Sequence, residues 1–98
     1  IRVVCFSGGF RNATSHAAGI LGLDADFSNI LHEDEGILTG KVGGEMMFSD
    51  SKGQMLERLQ SLLRIKPEET LVVGDGANDL SMFEYAATGV AFCAKDIL

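Results

Sequence analysis

The stretch Leu71-Val72-Val73-Gly74-Asp75-Gly76-Ala77-Asn78-Asp79 passes from an apolar, partly β-branched run into glycines and carboxylates. The apolar run suits a buried strand, and Gly74 stops it. Asp75 then projects beyond the carboxyl end of that strand, where open parallel sheets bind their ligands. Asn78 or Asp79 starts a helix with apolar positions at Leu80, Met82, Phe83, Ala86 and Ala87. Gly89 ends it, and Val90-Ala91-Phe92 forms a further buried strand. Two buried strands joined through a helix predict a parallel sheet and an α/β fold.

Upstream, Lys52–Leu63 predicts the clearest helix, with Met55, Leu56, Leu59, Leu62 and Leu63 on one face and Glu57, Arg58 and Gln60 opposite. Pro67-Glu68-Glu69 opens a short turn before the strand. Near the start, Val3–Phe6 reads as a fully buried strand ending in a glycine turn, Ser7-Gly8-Gly9. Arg11–Leu21 follows as a helix stopped by Gly22. Asp26–Ile30 predicts a short strand, and His32–Val42 a hairpin turning at Glu35-Gly36. No repeat, low-complexity tract or long linker divides the chain, so one domain is expected over residues 1–98.

A net charge of −6 argues against sequence-independent nucleic-acid binding, which needs a positive footprint. It also requires that any phosphate site use local positive features: backbone amides, a lysine or a metal. Cys5 and Cys93 do not make a disulfide framework and read as small buried thiols, with a cytoplasmic setting. No apolar run approaches 18 residues and no signal-peptide pattern is present, so neither membrane nor secretion is expected. His16 and His32 lack metal-ligand spacing with each other or with the cysteines.

Three groups carry chemistry. Ser7-Gly8-Gly9 offers a hydroxyl and close-approach amides before a helix, the makings of an anion cradle; taken alone it fits a plain turn and helix cap better. Asp75 has the hard oxygen ligand that Mg²⁺ prefers, with Asn78 and Asp79 close by. An acidic helix start favoured by the helix dipole is the bland alternative. Lys52 is of a residue type usually left as a solvated charge, yet an acidic phosphate site needs such a cation to neutralise charge on a transferring phosphoryl group.

In that order, Ser7-Gly8-Gly9, Lys52 and Gly74-Asp75-Gly76-Ala77-Asn78-Asp79 resemble motifs two, three and four of the haloacid dehalogenase superfamily, most nearly its phosphoserine phosphatase family. The resemblance implies a Rossmann-like parallel sheet flanked by helices. It implies that Ser7 and the Gly8 amide bind substrate phosphate, and that Lys52 bridges phosphate and a nucleophilic aspartate. By the same likeness Asp75 coordinates Mg²⁺, Asn78 contacts the phosphate, and Asp79 supports Lys52 and the metal site. Lys52 and Asp79 are thus the expected catalytic residues. The implied reaction hydrolyses O-phosphoserine through an aspartyl-phosphate.

The superfamily's first motif, Asp-x-Asp-x-Thr, does not occur in the chain. The likeness therefore implies an incomplete core without its central first strand, nucleophile, general acid/base or cap, and inactive alone. Its open strand edges would favour self-association, a different strand order or poor stability. Ser49-Asp50-Ser51-Lys52-Gly53 also departs from the commoner family pattern. The implied partner is a small phosphate ester rather than nucleic acid or membrane. Alternatives are a phosphatase for another small ester, the phosphorylation domain of a P-type ATPase, or a non-catalytic phosphate-binding or oligomerisation module. The ATPase fits less well in its spacing to Lys52. Retention of Lys52, Asp75, Asn78 and Asp79 together favours an enzyme over the module.

Overall fold

The structure is a computed structural model describing residues 1–98. It comprises two compact units, Ile1–Met47 and Phe48–Leu98.

In the first unit, β1 (Val4–Phe10) leads directly into α1 (Arg11–Leu21), followed by β2 (Ala25–Asp34) and β3 (Ile37–Gly44). The sheet order is β1-β2-β3, parallel between β1 and β2 and antiparallel between β2 and β3. Gly22 closes α1 in the left-handed conformation, its amide reaching the Ala18 carbonyl, as its position in the sequence predicts. The polar partners of α1 lie on β2. Thr14 is buried and its Oγ1 donates to Asp26 Oδ2 at 2.8 Å, with Ser28 Oγ at 2.8 Å. Hydrogen bonds to partners on the same unit remove the cost of burying these hydroxyls.

Two sequence expectations change in this unit. The predicted short strand and the first arm of the hairpin are one continuous strand, β2, turning at Glu35-Gly36. Ser7-Gly8-Gly9 is a bulge inside β1 rather than a turn that ends it. The pairing runs from Phe6↔Phe27 to Phe10↔Asn29, four residues along β1 against two along β2. Ser7, Gly8 and Gly9 therefore have no register partner.

In the second unit, α2 (Ser51–Leu63) precedes β4 (Leu71–Gly74). A 3-10 turn at Ala77–Asp79 then runs into α3 (Leu80–Phe83), and β5 (Thr88–Ala91) pairs parallel to β4. The helix after Asp79 is one turn long, shorter than the apolar spacing through Ala86-Ala87 predicts, and the Tyr85 amide closes it on the Met82 carbonyl. The core consists of Met55, Leu56, Val72 and Met82.

Gln60, expected on the solvated face of α2, is buried. Its Nε2 donates to Thr70 Oγ1 at 2.9 Å and to the Tyr85 carbonyl at 2.7 Å, tying α2 to the start of β4 and the end of α3. Leu62 and Leu63, expected on the buried face, are exposed.

The expected full burial of the strands does not hold. Val3 and Val4 of the first unit are exposed, as are Leu71, Val73, Val90 and Phe92 of the second. Parallel strands are fully buried only when both faces are covered and both edges paired. In the second unit Val72 is buried while its neighbours Leu71 and Val73, on the other face, are open. The cysteines follow suit: Cys93 is exposed and Cys5 half-buried, both free. Met46 is core in the first unit, and Met47 is exposed.

Close approach requires glycine at the α2–α3 contact. A Cβ on Gly53 would lie 2.6 Å from the Ser81 carbonyl oxygen and 2.8 Å from its carbon. The Gly53 amide meanwhile donates to Ser81 Oγ at 2.9 Å. Alanine at a helix interior normally gains about 1 kcal/mol over glycine. Gly53→Ala is nevertheless expected to destabilise by about 1–3 kcal/mol, because backbone atoms, which cannot swing away, occupy the space. Urea unfolding checks this; a variant more stable than the parent would contradict the packing.

Candidate active site

Lys52 is the second residue of α2, and its backbone is drawn against α3 by the neighbouring Gly53 contact. Its Nζ donates to Asp79 Oδ1 at 2.5 Å, and both side chains are almost wholly buried. Asp79 Oδ2 accepts from the amides of Asp75 at 2.9 Å and Gly76 at 3.1 Å. Both carboxylate oxygens are therefore committed. Burial pushes the Asp79 carboxyl up, but the bonds from Lys52 and the two amides outweigh it and hold it below the ordinary carboxylate value.

Gly74 makes room for this arrangement. A Cβ there would lie 2.5 Å from Asp79 Cβ and 2.7 Å from its Cγ. The first glycine of Gly-Asp-Gly is thus required by the Asp79 side chain. At Gly76 a Cβ would meet only Asn78 Oδ1, at an ordinary 3.5 Å.

Asp75 itself is exposed beyond the end of β4, and Asn78 is exposed on the 3-10 turn. The second unit therefore joins Lys52, Asp75 and Asp79 through direct hydrogen bonds and presents Asn78 from the same loop. No group of three His, Cys, Asp or Glu gathers around a common point. Mg²⁺ takes one or two carboxylates and completes its shell with water and phosphate oxygens, so an exposed Asp75 carboxylate suits it in donor chemistry. Asp79 differs, its oxygens being occupied by the Lys52 ammonium and the Asp75 and Gly76 amides.

In the first unit, Ser7 is half-buried and Gly8 exposed. The Gly9 amide donates to Ser7 Oγ at 3.0 Å, leaving the serine proton free for another acceptor. A residue absent from the sequence reading stands behind them. Asn29 is 4% exposed, and its Nδ2 donates to the Gly8 carbonyl at 3.1 Å. The only sequence signal for it was an amide beside Ser28 with apolar Phe27, Ile30 and Leu31 around the pair.

A parallel strand pair with helices and an acidic loop at a strand's carboxyl end is the frame of the α/β class. The chain belongs to the haloacid dehalogenase-like hydrolase family, whose model matches residues 1–87. It is 69% identical to a phosphoserine phosphatase of Wolinella succinogenes over 99% of this chain and 47% of that relative. It is 53% identical to a phosphoserine phosphatase of Campylobacter jejuni subsp. doylei over 100% of this chain and 47% of that relative. A substrate-bound phosphoserine phosphatase complex is similar in structure, with a TM-score of 0.93 at 46% identity, covering 99% of this chain and 46% of that one. The chain spans about half the length of the relatives it matches.

Proposed function

We propose that the protein carrying this chain is a Mg²⁺-dependent phosphomonoesterase acting on O-phosphoserine, and that residues 1–98 supply part of one catalytic core. The observation that carries the proposal is the Lys52–Asp79 pair with Asp79 tied to the amides of Asp75 and Gly76. A buried ammonium and a strand-end carboxylate in one hydrogen-bonded cluster suit a group that carries negative charge and a metal. Similarity to phosphoserine phosphatases supports the substrate.

In this reading Ser7 Oγ and the Gly8 amide donate to phosphate oxygens. Lys52, its charge directed by Asp79, stabilises charge on the transferring phosphoryl group. Asn78 donates its amide to the same group. Asp75 holds Mg²⁺, which when bound would polarise a phosphoryl oxygen. The attacking carboxylate comes from outside residues 1–98, because Asp-x-Asp-x-Thr does not occur in them; this piece alone is therefore inactive. No helix is long and apolar enough to cross a membrane. We place the enzyme in the cytoplasm; in residues 1–98 taken alone, the exposed apolar strands offer a route to self-association.

Phosphate release by the gene product carrying this chain, from a panel of phosphate monoesters, tests the proposal. Preference for O-phosphoserine is expected. Turnover of another ester alone would transfer the reading to a different phosphomonoesterase, and phosphate binding without turnover would favour a non-catalytic module.

A further inference from the structure

The bulge at Ser7–Gly9 leaves three residues without strand partners, and one buried side chain takes over their support. We infer that Asn29 is a positioning residue that sets the Ser7-Gly8-Gly9 bulge for phosphate; the inference rests on the proposal that Ser7 and Gly8 bind phosphate.

Asn29 sits on the central strand, paired to Phe10 of β1 on one side and Gly44 of β3 on the other. Its side chain makes three hydrogen bonds. Nδ2 donates to the Gly8 carbonyl at 3.1 Å and the Met46 carbonyl at 3.1 Å, while Oδ1 accepts from the Met46 amide at 2.9 Å. Both amide protons are thus used. The two bonds to Met46 lock the orientation of the amide group, which fixes the direction of its remaining N–H toward Gly8. The Gly8 carbonyl and the Gly9 N–H belong to one planar peptide. Holding the carbonyl therefore aims the Gly9 N–H, and that N–H is what engages Ser7 Oγ. The chain of control runs from Asn29 through one peptide plane to the serine hydroxyl.

Gly44 shows that the fold reserves this space. It has φ +126°, and a Cβ there would lie 2.6 Å from Asn29 Cα and 2.9 Å from its Oδ1. A side chain at Gly44 would displace the very group that holds Gly8. The neighbouring buried residue, Ser28, points to the opposite face of β2, where it meets Thr14. The Thr14 network ties α1 to Asp26 and Ser28 with no hydrogen bond to Ser7, Gly8 or Gly9, which provides a control.

Calorimetric titration of inorganic phosphate into the gene product carrying this chain tests the inference. Ser7→Ala and Asn29→Asp are each expected to weaken binding roughly tenfold, the scale of one lost hydrogen bond to a charged group. Asn29→Asp is close in shape but presents no donor to Gly8. The double variant should be no weaker than either single, because both act on one hydroxyl. Thr14→Val should lower the melting temperature and leave phosphate affinity unchanged. Unaltered affinity in Asn29→Asp alongside weakened binding in Ser7→Ala overturns the inference alone, as do effects that multiply in the double variant. Unaltered affinity in Ser7→Ala removes the phosphate reading of Ser7 and the inference with it. If Asn29→Asp fails to fold, ¹⁵N NMR of the unaltered protein decides. On adding phosphate, the Asn29 side-chain amide should shift with the Gly9 amide, and a shift of Gly9 without Asn29 overturns the inference.

Discussion

Lys52→Met is expected to lower the unfolding free energy by about 3–5 kcal/mol, the cost of leaving a buried partner charge uncompensated. Asp79 would keep its two amide bonds but lose the ammonium, while its burial remained. The result separates a structural pair from a surface one, for which the loss would be about 0–1 kcal/mol. The deficit should also depend on pH. Asp79 is held below its ordinary value of 3.8 in the folded protein. That shift stabilises the fold above about pH 4 and the contribution is lost as pH falls through the lower folded value. The parent should therefore lose part of its advantage over Lys52→Met below about pH 4. Urea unfolding in metal-free buffer at pH 7 and pH 3.5 measures both effects. A loss under about 1 kcal/mol at pH 7 would show that the pair contributes little.

The second large effect concerns Gly74. In Gly74→Ala the added methyl would overlap Asp79 Cβ and Cγ, atoms whose carboxylate is fixed by Lys52 and two amides. Either Asp79 leaves its hydrogen bonds or β4 shifts from its pairing with β5. Overpacking of this kind costs about 1–3 kcal/mol, and here it also disturbs the lysine proposed to neutralise phosphate. Turnover of O-phosphoserine should fall further than stability does. Gly76→Ala, with only an ordinary contact to meet, should be the milder of the two. Equal effects at the two glycines would contradict the reading that Asp79 dictates Gly74.

The residues that were legible in the sequence explain why others were not. Leu71–Asp79 was readable because strand, glycine and carboxylates follow one another locally, and the structure keeps that order. The close association of Lys52 with Asp79 was implied by family resemblance, since 27 residues separate them and no periodicity links them. Asn29 and Gln60 were missed for a common reason. Each satisfies carbonyls contributed by distant segments, Gly8 and Met46 in one unit and Tyr85 in the other. Polarity alone assigns such amides to solvent. The bulge at Ser7–Gly9 likewise depends on the register between two strands, which local glycine content reads as a turn. Strand burial was overestimated because an apolar run reports a capacity to be covered, and Leu71, Val73 and Val90 have little covering them.

The most direct test of the central claim is phosphate release from O-phosphoserine by the gene product carrying this chain, with Mg²⁺ titrated, in the parent and in Asp75→Asn. The account predicts Mg²⁺-dependent turnover in the parent and a fall of at least about a hundredfold in the variant, the usual scale for losing a principal charge-stabilising group. Turnover equal in the two proteins would contradict the assignment of Asp75, and with it the proposed catalytic role of the Gly74–Asp79 loop.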